Sequence, residues 1–126
     1  MTTSVIHIRD SKKSTDEHYI GRAGKYAPQA IFGNPIVKGQ RCRVCGRTHL
    51  DGGSTLPCYE IYLRSRLSTD DSFAKRFWAL KGGHLVCFCR PKDGFGDKTI
   101  CHGQIMARYL DDGVPRVPIL NVDTTN

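Results

Sequence analysis

The residues best suited to chemistry fall into two groups. In the first, Arg41-Cys42-Arg43-Val44-Cys45-Gly46-Arg47-Thr48-His49 is followed by Cys58, nine residues beyond His49. Two thiols separated by two residues, with a glycine directly after, make a tight turn that aims both sulfurs at one ion. Zinc closes a structural site with four ligands, and Cys42, Cys45, His49 and Cys58 supply that number. Arg41, Arg43 and Arg47 surround the ligands and offset the charge of bound thiolates. The expectation is a structural zinc that closes a loop. Two other readings compete with it. Cys58 can instead be a small apolar residue on the core face of a helix. A redox Cys-x-x-Cys normally opens a helix after a strand, whereas this pair lies in a glycine-rich loop.

The second group is Cys87, Cys89, Cys101 and His102. Cys87 and Cys89 stand two apart in an apolar run, so on a strand they share a face. Cys101 and His102 open a helix, whose N-terminus stabilises anions and activates thiols. His102 can exchange a proton near neutral pH. Three readings stay open: small buried core residues, a second zinc on Cys89, Cys101 and His102, or a catalytic pair formed by Cys101 and His102.

Two polar turns add to this group, Tyr19-Ile20-Gly21-Arg22 and Phe32-Gly33-Asn34-Pro35. The planar fork of Arg22 suits a phosphate or carboxylate. The Asn34 amide suits a base or sugar edge, although Gly-Asn-Pro is also an ordinary turn. Gly103, at a helix N-terminus, suits a phosphate. Tyr19, Gly21, Arg22, Asn34, Cys89 and Gly103 are therefore the expected ligand-binding set.

These residues must be positioned by a small number of elements. Residues 5–9 and 18–22 read as short strands, and residues 84–89 as a buried strand. Ser54 is expected to cap a helix to about Leu67, with Pro57 in its first turn and Cys58, Ile61 and Tyr62 on one face. Ser68 and Asp71 resemble a capping box for a second helix with Phe73, Phe77 and Leu80 inward, ended by Gly82-Gly83. A third helix starts at Cys101-His102-Gly103 and runs to Tyr109 or Leu110. Residues 111–126 read as extended. Alternating strands and helices predict an α/β fold, a small sheet with about three helices and an inserted zinc-knuckle loop over residues 40–58. Ligands in such folds sit beyond the carboxyl ends of the strands.

The 126-residue length fits one domain over residues 1–126. An apolar fraction of 39% with 25% charged residues excludes a disordered chain. Nineteen Lys and Arg against twelve Asp and Glu give +7, which suits an anionic partner such as nucleic acid or a nucleotide phosphate. No segment approaches the roughly 20 apolar residues that span a bilayer, so no membrane partner is expected. The N-terminus lacks a signal-peptide pattern, which predicts a cytoplasmic protein and favours metal or catalytic cysteines over disulfides.

Taken in order, these motifs resemble the family called Domain of Unknown Function 4326. The resemblance rests on Tyr19-Ile20-Gly21-Arg22, Gly33-Asn34-Pro35, the helix from Cys58, and Leu80-Lys81-Gly82. It continues through Leu85 to Pro91, with Cys-Phe-Cys-Arg-Pro, and Cys101-His102-Gly103. It spans about residues 7–110. It implies a bacteriophage or bacterial origin, hence the host cytoplasm if phage-encoded, and it carries no established activity. The segment from Cys42 to Cys58 looks like an insertion found in some members. Residues 92–100 make a longer link than usual, which leaves the approach of Cys89 to Cys101 open.

Two functional expectations follow. One is a small protein that binds a nucleotide, nucleoside or related phosphate-bearing small molecule at the sheet edge, with or without catalysis by Cys101 and His102. The other is a zinc-stabilised binding module for nucleic acid or a host protein, without catalysis.

Overall fold

The computed structural model describes residues 2–7, 12, 15–22, 30–50, 54–87 and 101–116. Its elements run in the order β1 (Ser4–His7), β2 (Glu17–Tyr19), α1 (Leu56–Thr69), α2 (Asp71–Trp78), β3 (His84–Cys87) and α3 (His102–Asp112). Among the described residues the fold is α/β, with three helices and a three-stranded sheet in the order β1-β3-β2. Both outer strands pair with β3 in parallel: Ser4 lies beside His84, and Glu17 beside His84 on the other side. The central strand is the apolar one, with Leu85, Val86 and Cys87 all buried, as a parallel strand covered on both faces requires.

Each helix forms for a local reason. Pro57 sits in the first turn of α1, where a missing N–H costs nothing. The inward face of α1 is Leu56, Cys58, Tyr59 and Leu63, so Tyr59 and Leu63 take the core positions expected of Ile61 and Tyr62. The N-cap is Thr55 rather than Ser54, and its side chain caps nothing in the helix. The α2 cap is Asp70, whose carboxylate accepts the Phe73 N–H. The expected Ser68–Asp71 box does not form. Helix α1 continues through Ser68 and Thr69, whose hydroxyls donate back to the Ser65 carbonyl. Phe73, Phe77 and Leu80 are buried as the periodicity predicts. Gly82 adopts φ +83°, the left-handed conformation that stops a helix.

The core joins these layers. Phe32 packs between Phe73 and Phe77, at ring-centroid distances of 5.4 and 6.5 Å. Helix α3 packs on β1, β3 and α1 and buries Ile105, Met106, Tyr109 and Leu110. At the other end of α3, Asp111 accepts the Thr3 N–H and hydroxyl, which fastens the helix to the start of β1. The helix therefore includes Asp111 and Asp112, which were expected to be extended. Among the described residues no helix is long and apolar enough to cross a membrane.

Candidate metal centre

Residues 38–50 fold as a hairpin-like turn. Arg41 and Thr48 form an antiparallel bridge. The Cys42 N–H donates to the Arg47 carbonyl at 2.7 Å, and the Gly46 N–H to the Cys42 carbonyl at 2.9 Å. Gly46 takes φ +80°, which a side chain would resist. Within the turn the amides of Val44 and Cys45 point at Cys42 Sγ, at 3.3 and 3.5 Å. Cys58 enters from the first turn of α1, so the centre joins the loop to the helix.

The donor atoms of Cys42, Cys45, His49 and Cys58 all lie within 4.8 Å of one another. A tetrahedral zinc with Zn–S near 2.3 Å needs sulfurs about 3.8 Å apart. Cys45 Sγ and His49 Nε2 are already 3.5 Å apart. A small contraction around one cation would complete the site. All three cysteines are buried, and His49 is half-buried. The thiols are electrostatically unlike. Burial opposes ionisation of Cys42, but the Cys45 and Val44 amides with the His49 and Cys58 contacts bring its pKa down to about 7. Burial first, then the neighbouring Cys42 and Cys45, pushes Cys58 up to about 12. Three sulfurs this close resist sharing negative charge, and a divalent cation relieves that repulsion.

The sequence-derived pocket residues meet one another, but mostly through internal bonds. Arg22 donates from Nε to the Asn34 carbonyl at 3.0 Å and from Nη2 to the Ile36 carbonyl at 3.2 Å. Asn34 accepts the Ile36 N–H and donates to Thr55 Oγ1 at the start of α1. Tyr19 donates its hydroxyl to the Arg22 carbonyl. The Gly-Arg and Gly-Asn-Pro segments cross with their backbones in contact: a Cβ on Gly33 would stand 2.7 Å from Arg22 Cα. One on Gly21 would strike the Tyr19 ring. Gly33→Ala is expected to destabilise the protein by about 2 kcal/mol, since backbone rather than a side-chain tip must yield. A urea melt of the variant checks this, and an unchanged midpoint would refute it.

Cys101 caps α3, its sulfur accepting the Gly103 N–H at 3.3 Å while Gln104 reaches back to the Cys101 N–H. Cys87 Sγ lies 3.4 Å from Cys101 Sγ. His102 is buried, donates from Nε2 to the Ile20 carbonyl at 2.7 Å, and meets the Tyr59 ring edge to face at 5.2 Å. Burial lowers its pKa, against the pull of the Ile20 carbonyl. Gly103 is packed against Ile20, where a Cβ would stand 2.6 Å from Cδ1. Cys89 lies outside the described residues.

Three features escaped the sequence reading. Glu60 accepts from Tyr109 and from Arg64 and Arg108, joining α1 to α3. Only the Glu60–Arg64 spacing announced it. Burial, then Glu60, pushes Tyr109 up to about 12, so it stays a donor. At the amino ends of the strands, Ser4 bonds His84, whose Nε2 lies 3.5 Å from Asp16. These three residues clip the sheet edge, and the nearby amides of Ser4, Gly82, Gly83 and His84 are all engaged. Third, a groove of about 500 Å³ runs between the knuckle and α1, lined by Arg43, Val44, Ile61, Tyr62, Arg66 and Asp70 among others.

Fold and site together define a small parallel α/β protein with a Cys3His cluster able to hold a metal ion. The chain belongs to the family described as a domain of unknown function (DUF4326), which matches residues 5–112. No curated protein and no solved structure matches it.

Proposed function

We propose that the Cys42–Cys45–His49–Cys58 centre holds a structural Zn²⁺ and that the face around it binds single-stranded nucleic acid. Thiolate and imidazole donors in a closed set of four favour zinc over harder cations. The observation that carries the nucleic-acid reading is the setting of the arginines. Arg41, Arg43 and Arg47 are exposed around the centre, and Arg43 continues into the groove with Tyr62 and Arg66. Basic side chains beside an aromatic ring suit a phosphate backbone with a stacked base. Asp70 also lines the groove, and its charge is met by Arg66 at 3.5 Å. The net charge of +7 acts in the same direction.

A second reading places a nucleotide-like ligand at the carboxyl ends of the strands. It is supported by the parallel sheet, whose three strands end on the side where α3 begins with Cys101 and His102.

Fluorescence anisotropy with a labelled single-stranded oligonucleotide tests the first reading. With three phosphates neutralised, raising salt from about 50 to 200 mM should weaken binding roughly 20-fold. The Arg41→Ala/Arg43→Ala/Arg47→Ala variant should lose most of it. Binding unaffected by those substitutions would sink the reading. Tight binding of a free nucleotide, unchanged in the triple variant, would move the function to the strand ends.

A further inference from the structure

Cys87 ends β3 and Cys101 caps α3, fourteen positions later in the chain, yet their sulfurs are 3.4 Å apart. Both are buried, both are reduced, and the metal centre uses neither. A short side-chain movement would bring them to the bonding distance of about 2 Å. The two sulfurs are not equivalent. Cys101 Sγ accepts the Gly103 N–H and stands at the N-terminus of an eleven-residue helix, where amide dipoles favour a negative sulfur. Cys87, on the strand, faces it as a partner thiol.

We propose that Cys87 and Cys101 are a dithiol–disulfide pair, a redox modification site oxidised by hydrogen peroxide. The Cys101 thiolate attacks one peroxide oxygen. The O–O bond breaks, and the departing hydroxide takes up the proton first lost by the thiol. Cys101 is left as a sulfenic acid and one water is formed. The Cys87 sulfur then attacks the Cys101 sulfur. The S–O bond breaks, and hydroxide leaves with the Cys87 proton as the second water. Two thiols and one peroxide give one disulfide and two waters: the sulfurs lose two electrons and the peroxide gains them. Burial selects an oxidant of near-water size over a bulky disulfide. The product ties the end of β3 covalently to the start of α3.

The test treats the folded full-length protein, as purified, with hydrogen peroxide and follows its intact mass. A loss of about 2 Da is expected, the two hydrogens removed, reversed by a thiol reductant once the chain is unfolded in denaturant. Tryptic mapping without reduction should link the peptide of residues 82–92 to that of residues 99–108. The same link should form in Cys89→Ser. In Cys87→Ser, Cys101 should stop at the sulfenic acid, read as a gain of about 16 Da on the peptide of residues 99–108. Absence of the link while the protein is folded would overturn the proposal. So would a link that requires Cys89, or a second bound metal lost on Cys87→Ser in native mass spectrometry.

Discussion

Removing the proposed Zn²⁺ from the folded protein is expected to lower its melting temperature by roughly 10 °C, equivalent to a loss of about 3 kcal/mol or more. Cys58 is the reason the effect spreads. It belongs to α1, whose Tyr59 and Leu63 are fully buried, so a slack knuckle loosens a helix at the centre of the core. Three thiols would then remain close together, held by His49, by one another and by the Val44 and Cys45 amides on Cys42. Total stabilities of single domains are about 5–15 kcal/mol, so this is a large share. The check is a thermal melt before and after chelation, with metal counted by native mass spectrometry. Cys42→Ser should lose the metal, and Cys87→Ser should keep it. A melting temperature indifferent to chelation would end the structural-zinc reading. Because bound thiolates must be deprotonated, metal affinity should also fall as pH falls.

The second large effect is expected at His102, where truncation to Ala should cost about 3 kcal/mol. The ring fills space beside Tyr59 and satisfies the Ile20 carbonyl, so its loss leaves both a cavity and a buried acceptor without its donor. The site also makes the protein acid-sensitive. Burial holds the folded pKa of His102 below the ordinary 6.5, the nearby Arg22 acting in the same sense and Cys87 against it. Between those two values the unfolded chain binds more protons than the folded one. Stability is therefore fully present above pH 6.5 and declines as pH falls through 6.5 toward the folded value. Urea melts at about pH 7.5 and 5.5, above and below the ordinary 6.5, should show a steeper loss for the wild type than for His102→Gln. Equal losses would mean that His102 is not held neutral by the fold.

These two sites were unequally legible. The knuckle is written locally: Cys-x-x-Cys with Gly46 sets its own turn, and His49 follows within the same hairpin. Cys58 was harder to place, because its membership depends on how the loop returns to α1. The second group was legible as residues but not as roles. Arg22, Asn34 and His102 looked like ligand groups because their side chains can bind ligands. In the fold, Arg22 and His102 bind main-chain carbonyls 12 to 82 positions away. Every residue carries a carbonyl, so such a partner leaves no mark in the residue types. Asn34 was hidden for a related reason, its side-chain partners being the Ile36 N–H and the Thr55 hydroxyl at the start of α1.

The α/β class, the helices, the apolar central strand and the four donors of the candidate metal centre were legible in the sequence alone. Each depends on periodicity or on spacing within one turn, and both are set by neighbours in the chain. Only the tertiary structure decided that both outer strands flank β3 in parallel and that Gly21 and Gly33 lie where two backbones cross. It also decided that Cys87 meets Cys101 and that a basic groove opens beside Tyr62. Those outcomes depend on which distant segments share the limited buried volume of a small core, and packing settles that for the whole chain at once.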